Sequence, residues 1–342
     1  MTMRTFATRC AALIGLVTML AFAAAPAVQA QQINPTEKSV TEDMLFQQMQ
    51  GDGMVSGRVS IPDEQSGGLI KPGHKGWAGT HTGTVRFLTI AAVLGAVVVL
   101  GLFYLLRGRI RVDGGMSGIR ILRFTAVERF AHWLMAGSFV VLALTGLNLV
   151  LGRLLVLPWL GEAAFATLTT WGKISHNYVA WAFMLGLVMS FVVWISHNIP
   201  DKVDAEWIKQ GGGLLKKGVH PPAKKFNAGQ KVIFWSVTLG GAALSFTGVM
   251  LLFPGVEILG LGATQADWQL YQLIHGIVAA VLSFIIIAHV YIGSVGMEGA
   301  FDAMGSGEVD LNWAKEHHSL WVDEVEERAK TAPAGKATLP AE

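Results

Sequence analysis

Cysteine is almost missing from this sequence: Cys10 is the only one in 342 residues. That excludes an internal disulfide, a cysteine-ligated zinc site and an iron–sulfur cluster held by this chain alone. Any redox centre here must use other ligands. Charge is also scarce, at 15% of residues against 52% hydrophobic, and the mean hydropathy is +0.47. A chain of this length and apolarity has the composition of an integral membrane protein. The net charge of +2 is too small and too scattered for nucleic-acid binding.

The N-terminus has the pattern of a secretory signal peptide over residues 1–30. Arg4 and Arg9 precede an apolar run from Ala11 to Ala25, and Val28 and Ala30 stand where small residues are wanted before a cut. The alternative is an uncleaved anchor helix, but the run is shorter than the ~20 residues a span needs. Residues 31–84 are polar and rich in Gly, Gln and Ser, which suggests a loose periplasmic arm with His74 and His81 in solvent. Apolar segments near 86–106, 131–152, 174–195, 232–253 and 270–294 are each long enough to span a bilayer as helices.

Basic residues set the orientation. The linker 108–129 after the first span holds Arg109, Arg111, Arg120, Arg123 and Arg129. The loop after the third holds Lys202, Lys209, Lys216, Lys217, Lys224, Lys225 and Lys231, whereas residues 254–269 have no basic residue. By the positive-inside rule the Arg-rich and Lys-rich loops are cytoplasmic, which puts the mature N-terminus in the periplasm and the C-terminus in the cytoplasm of a multi-pass inner-membrane protein. The tail, residues 296–342, has charges at helical spacing and predicts a short amphipathic helix on the cytoplasmic face. Its doublet His317 and His318 has no third ligand nearby and is assigned to the surface, not to a metal.

Four of the ten histidines, His132, His176, His275 and His289, fall inside predicted spans. Any one of them alone is as readily a hydrogen-bonded interface ring. Together they form two depth-matched pairs, His132 with His289 near the cytoplasmic face and His176 with His275 near the other. Within the last span, His275 and His289 stand close to four helical turns apart, roughly 21 Å along the axis, so both rings leave one helix face at two separate levels. Bis-histidine b-type haem fits two imidazoles from different helices in an apolar setting without cysteine. Gly146 follows His132, and Ser190 follows His176, at the same interval that separates His275 from His289. Both offer small side chains where the other haem's edge would pass, while Met135, Met184 and Met250 are assigned to the core. Two haems at this separation form a wire across most of the bilayer.

Several stretches carry a resemblance: RFTAVERFAHWLMAGSFVVLALTG, SHNIPDK, KKFNAGQKVIFW, LIHGIVAAVLSFIIIAHVY and WAKEHHSLW, over about residues 120–325. They look like the gamma, or cytochrome b, subunit of respiratory formate dehydrogenase, a membrane-anchored di-haem protein. The region before residue 115 departs from the short four-helix version of that family. The fold expected is therefore an all-α membrane protein: a four-helix transmembrane di-haem bundle over residues 130–295, plus one additional N-terminal transmembrane helix over 85–107. The resemblance implies an iron–sulfur beta subunit and a catalytic alpha subunit with molybdenum or tungsten as partners, and membrane quinone as acceptor. It also implies that His132 and His289 hold the cytoplasmic-side haem b and that His176 and His275 hold the periplasmic-side one. Quinone would sit beside the cytoplasmic haem at the turn of Asn227, Gly229 and Gln230; Asn227 serves equally as a plain helix cap. His197 either caps carbonyls before Pro200 or lies on a proton route, and Arg129 and Lys231 are candidate partners for haem propionates. The alternatives are the cytochrome b subunit of a membrane-bound hydrogenase and, in another class, a non-redox transporter or anchor.

Overall fold

A computed structural model describes residues 79–214, 216–253 and 265–331. Residues 1–78, with the expected signal peptide and most of the expected arm including His74, residues 254–264 of the loop that lacks basic residues, and the end of the tail lie outside the described residues. In chain order the elements are α1 (Arg86–Arg107), β1 (Arg120–Leu122), α2 (Ala126–Leu155), α3 (Leu157–Trp194), α4 (Lys202–Lys209), α5 (Ala228–Leu252), α6 (Gln265–Tyr291), α7 (Asp302–Gly305), β2 (Glu308–Asp310), α8 (Leu311–His317) and α9 (Ser319–Thr331). Among the described residues five helices are long and apolar enough to cross a membrane: α1, α2, α3, α5 and α6. His81 opens the π turn that leads into α1 and is half-buried, not in solvent.

Three of the helix starts are written in the polar residues that precede them. Thr125 and Glu128 form a capping box at α2, Asp201 and Asp204 one at α4, and Asn227 and Gln230 one at α5. In each, the two side chains satisfy the first free backbone N–H groups that a helix leaves open. α3 is longer than its apolar run predicts, because residues between the second and third spans are helical too. A kink at Gly161 (φ 73°, ψ 169°) separates its first turn from the rest, a conformation that glycine adopts without a Cβ clash.

α2 and α3 form one antiparallel hairpin and α5 packs along α6. Small residues mark the close crossings, as they do where lipid gives no hydrophobic drive between helices. A Cβ on Gly186 of α3 would lie 2.7 Å from the Met135 backbone nitrogen of α2, and one on Gly240 of α5 would lie 3.0 Å from Leu282 of α6. The additional helix α1 runs along α6 as well. A Cβ on Gly276 would come within 2.6 Å of Val85 at one end, and Phe103 meets Tyr291 edge-on, 6.2 Å between centroids, at the other.

Beyond one end of the bundle the linker and tail fold into a small cap, which is more than the single amphipathic helix expected. β1 pairs antiparallel with β2, with Arg120 opposite Asp310 and Leu122 opposite Glu308. Val112, Ile121, Phe124, Trp194, Phe226, Val309, Trp313, Trp321 and Val322 belong to one buried apolar cluster, so the linker, the end of α3 and the tail share a core. Asp310 joins these parts through its carboxylate, which accepts from the Ser117 and Gly118 backbone on one side and from Asn312 at the start of α8 on the other.

Candidate functional site

The bundle brings the four histidines together in the two predicted pairs. His132, near the start of α2, faces His289, near the end of α6, with 6.3 Å between ring centroids; His176 of α3 faces His275 of α6 at the same 6.3 Å. The first pair lies at the cap end, next to Trp133 and Trp194, whose rings are 5.0 Å and 6.4 Å from that of His132.

The surroundings of the two pairs differ. At the second pair, His176 Nδ1 lies 2.8 Å from Thr145 Oγ1 of α2, and His275 Nδ1 lies 2.9 Å from Thr247 Oγ1 of α5. Each threonine is followed by a glycine, and a Cβ there would stand 3.7 Å from His176 Cε1 at Gly146 and 3.4 Å from His275 Cε1 at Gly248. At the first pair, His132 Nδ1 is buried with no hydrogen-bond partner. The two threonines were missed in the sequence; their signal is the repeated Thr-Gly dipeptide, which has meaning only once the neighbouring helix is known.

The remaining candidates gather at the cap end. Asn227 Oδ1 accepts from the Gln230 backbone N–H at 2.9 Å, and Gln230 Oε1 accepts from that of Asn227 at 3.0 Å, so the helix-cap reading of Asn227 is realised. Gly229 lies under Trp207, whose ring a Cβ would meet at 2.9 Å. Arg129 donates to the Gly305 carbonyl at 2.9 Å, while its Nε is buried without a partner. Lys231 is buried and already engaged, donating to Asp204 at 2.8 Å and to the Ile199 carbonyl at 3.1 Å. His197 does not cap the third span; Asn198 does, donating to the Trp194 carbonyl at 2.9 Å. His197 instead lines a cavity of about 300 Å³ with Asp201, Lys224, Lys225, Lys231 and Glu324.

The assignment of His317 and His318 to the surface is corrected by the cap. His318 is 1% exposed and donates from Nδ1 to the Lys224 carbonyl at 2.7 Å. Burial, and next the nearby Arg123 guanidinium, hold its imidazole well below its ordinary pKa. Burial likewise brings His317 down to about 4, helped by His220 and Arg123. The charged local sequence hid this, because partners of the doublet come from far earlier in the chain: Lys224 and His220 from the loop after the third span, and Arg123 from the linker. Met250, 1% exposed, is core as expected.

An all-helical membrane bundle with paired imidazoles facing each other across its helices is the build of a membrane cytochrome. Residues 123–307 match the family described as prokaryotic cytochrome b561, and the chain belongs to that family. It is 32% identical over 211 residues to the nitrate-inducible formate dehydrogenase cytochrome b556(Fdn) subunit of Escherichia coli (strain K12), covering 60% of this chain and 92% of the relative. It is 26% identical over 205 residues to the formate dehydrogenase cytochrome b556(fdo) subunit of the same strain, covering 60% and 93%. It is 25% identical over 213 residues to the formate dehydrogenase cytochrome b556 subunit of Haemophilus influenzae (strain ATCC 51907 / DSM 11121 / KW20 / Rd), covering 60% and 83%. The matched family region contains all four histidines and begins after α1.

The family implies b-type haem, and the residues fit it. Two metal–imidazole bonds of about 2.0–2.1 Å, with ~1.1 Å from each bonding nitrogen to its ring centre, sum to about 6.2–6.4 Å. Both pairs stand at 6.3 Å. Among the described residues no group of three or more His, Cys, Asp or Glu side chains converges, so each pair offers two protein ligands where a bare ion takes about four. The Ser190 hydroxyl, where a haem edge was expected to pass, is buried with no protein partner.

Proposed function

We propose that this chain is the cytochrome b subunit of a membrane-bound formate dehydrogenase. It joins a periplasmic iron–sulfur beta subunit, and through it a molybdenum- or tungsten-containing alpha subunit that oxidises formate, to membrane quinone near the cytoplasmic face. The observation that carries this reading is the pair of equal 6.3 Å imidazole separations, one at each of the two levels that His275 and His289 mark on α6. The names of the relatives supply the substrate side.

In this reading His132 and His289 ligate one haem at the cap end, and His176 and His275 ligate the other. When bound, the two haems supply one-electron carriage between the partner's cluster and quinone. The protein residues hold their geometry: the helices fix the level of each imidazole, and the apolar bundle excludes water between the two levels. The arginine-rich linker and lysine-rich loop meet at the cap, so the cap faces the cytoplasm and the mature N-terminus faces the periplasm. Arg129, with its unpartnered Nε, is the propionate partner we carry forward. Lys231, matched by Asp204 and Asp201, holds α4 to α5 instead.

The quinone site is at Asn227, Gly229 and Gln230. The capping box uses the side-chain amide oxygens of Asn227 and Gln230, which leaves their NH2 groups to donate to a quinone carbonyl. The cavity beside His197, with its lysines and carboxylates, gives protons from the cytoplasm a polar mouth near that end of the bundle.

The test is an absorption spectrum of the purified complex with and without a reductant. Two reducible b-type haems per chain are expected. His289→Ala should remove the haem at the cap end and leave the other bound. Absence of reducible haem bands would sink the reading, and loss of both haems or neither in the variant would contradict the pairing. Copurification of formate-oxidising subunits, with haem reduction by formate, checks the partner assignment.

A further inference from the structure

Thr145 and Thr247 do more than pack. Each hydroxyl lies within reach of the carbonyl four residues back in its own helix, 2.8 Å to Val141 and 2.7 Å to Ala243. A hydroxyl has one proton to give, and threonines within helices commonly give it to such a carbonyl. The oxygen is then left to accept, so the partner ring nitrogen must be the donor: Nδ1–H of His176 to Thr145, and Nδ1–H of His275 to Thr247. That choice of tautomer leaves the Nε2 lone pair of both rings for the shared centre.

The arrangement is used twice. Helix α2 presents Thr145-Gly146 to the histidine of α3, and α5 presents Thr247-Gly248 to the histidine of α6. In both, threonine holds Nδ1, and the ring's Cε1 lies beside the following glycine, 3.7 Å from the Cβ position at Gly146 and 3.4 Å at Gly248. At the cap-end pair the His132 Nδ1 has no such acceptor. A ligand imidazole that donates from its outer nitrogen is more basic, and a more basic ligand favours the oxidised metal.

We infer that Thr145 and Thr247 are positioning residues that make the His176–His275 centre the lower-potential haem site of the two, so that electrons run downhill toward the cap end. This rests on the reading that His176 and His275 share one haem. It gives the direction implied by the proposed function a basis in two named side chains of this protein, which the histidine spacing alone does not.

The experiment is a spectroelectrochemical titration of the complex carrying Thr145→Val or Thr247→Val, with Thr145→Ser and Thr247→Ser as conservative partners. Valine keeps the shape and cannot accept. Each valine variant is expected to raise the midpoint of one haem, the haem lost in His275→Ala, by about a tenfold change in its oxidised-to-reduced ratio, about 59 mV for a one-electron couple. The other haem should stay put, and serine should restore the original value. A shift in the haem lost in His289→Ala, in both haems or in neither overturns the inference, as does a wild-type order with the cap-end haem lower. If a valine variant loses its haem, the comparison passes to alanine against serine, where equal midpoints overturn the inference and a higher one in alanine supports it. Failure of the wild-type complex to bind haem is a different result, and refutes the proposed function itself.

Discussion

The indole nitrogen of Trp194 donates to Glu128 Oε1 across 2.9 Å, tying the end of α3 to the start of α2. The same oxygen takes the Lys225 ammonium at 2.7 Å, and Oε2 takes the Thr125 backbone N–H at 2.8 Å. Glu128 is one helical turn before His132, and the Trp194 ring is 6.4 Å from the His132 ring. One buried carboxylate therefore assembles three chain segments around His132, which faces His289.

Glu128→Ala should be costly. It strands the Lys225 ammonium, only 18% exposed, together with a buried indole N–H. Loss of one partner from such a pair costs about 3 kcal/mol. Glu128→Gln, which still accepts from Trp194, should cost less, and Lys225→Met placed on Glu128→Ala should recover part of the loss. Thermal unfolding in detergent of the wild type, Glu128→Ala, Lys225→Met and their double variant, with Glu128→Gln beside them, checks this, and strict additivity would show that the pair does not act as one.

Asn227→Asp separates the two roles at the start of α5. Aspartate accepts from the Gln230 N–H as well as asparagine does, so the cap and the melting temperature should hold, whereas Asn227→Ala should cost about 1 kcal/mol. Aspartate has no NH2 to offer a quinone carbonyl. Quinone reduction by the complex should therefore weaken in Asn227→Asp while haem content stays unchanged. Unaltered kinetics with quinone would leave Asn227 as a cap alone.

The bundle was legible because its signals are local or periodic. Apolar runs mark the spans, capping residues mark the starts of α2 and α5, and the spacing of His275 and His289 is a property of one helix. The cap was not legible, for a physical reason. Its strands are very short, and Arg120, ahead of the second span, pairs with Asp310, beyond the last one. No local pattern encodes that register. His317 and His318 read as exposed from their sequence neighbours, yet Trp313 packs on both rings, the distant Lys224 carbonyl takes the His318 Nδ1–H, and Arg123 of the linker lies over Trp313. Lys231 followed the same logic: its charge suggested a cofactor partner, but Asp204, on a short helix, had already taken it.

Gly186→Ala should disturb both histidine pairs at once. The added methyl would meet the Met135 backbone nitrogen at 2.7 Å and Cα at 2.9 Å, and backbone cannot turn aside as a flexible side chain can. α2 and α3 must then part by a few tenths of an ångström, and these helices carry His132 and His176. Overpacking of this kind costs about 1–3 kcal/mol. The expected result is a lower melting temperature with partial loss of both haems. Gly137→Ala on α2, with nothing within 4 Å of its Cβ, should change neither.

The cap should weaken as the pH falls, in two stages. His318 is kept neutral by burial first and by Arg123 next, so its folded pKa lies well below its ordinary value. A lowered pKa means that the unfolded chain binds the proton first. The stability His318 contributes is thus complete above about pH 6.5 and declines as the pH drops from there toward the folded value. His317, brought down to about 4, adds to the same stage. Each proton taken up only by the unfolded form costs up to about 1.4 kcal/mol per pH unit. The second stage belongs to Asp310. Burial raises its pKa, but hydrogen bonds from Ser117, Gly118 and Asn312 outweigh that and hold the carboxyl below its ordinary range. Its contribution is present above about pH 4 and is lost as the pH falls through the folded value. Hydrogen exchange of the cap amides around Trp313 and Val322, followed from about pH 7.5 to 2.5 after correction for the intrinsic rate, reads this local stability in both stages. Protection should fall below about pH 6.5, and His318→Gln should flatten the first stage without touching the second. A cap equally protected at pH 7 and pH 5 would mean that His318 takes up its proton in place.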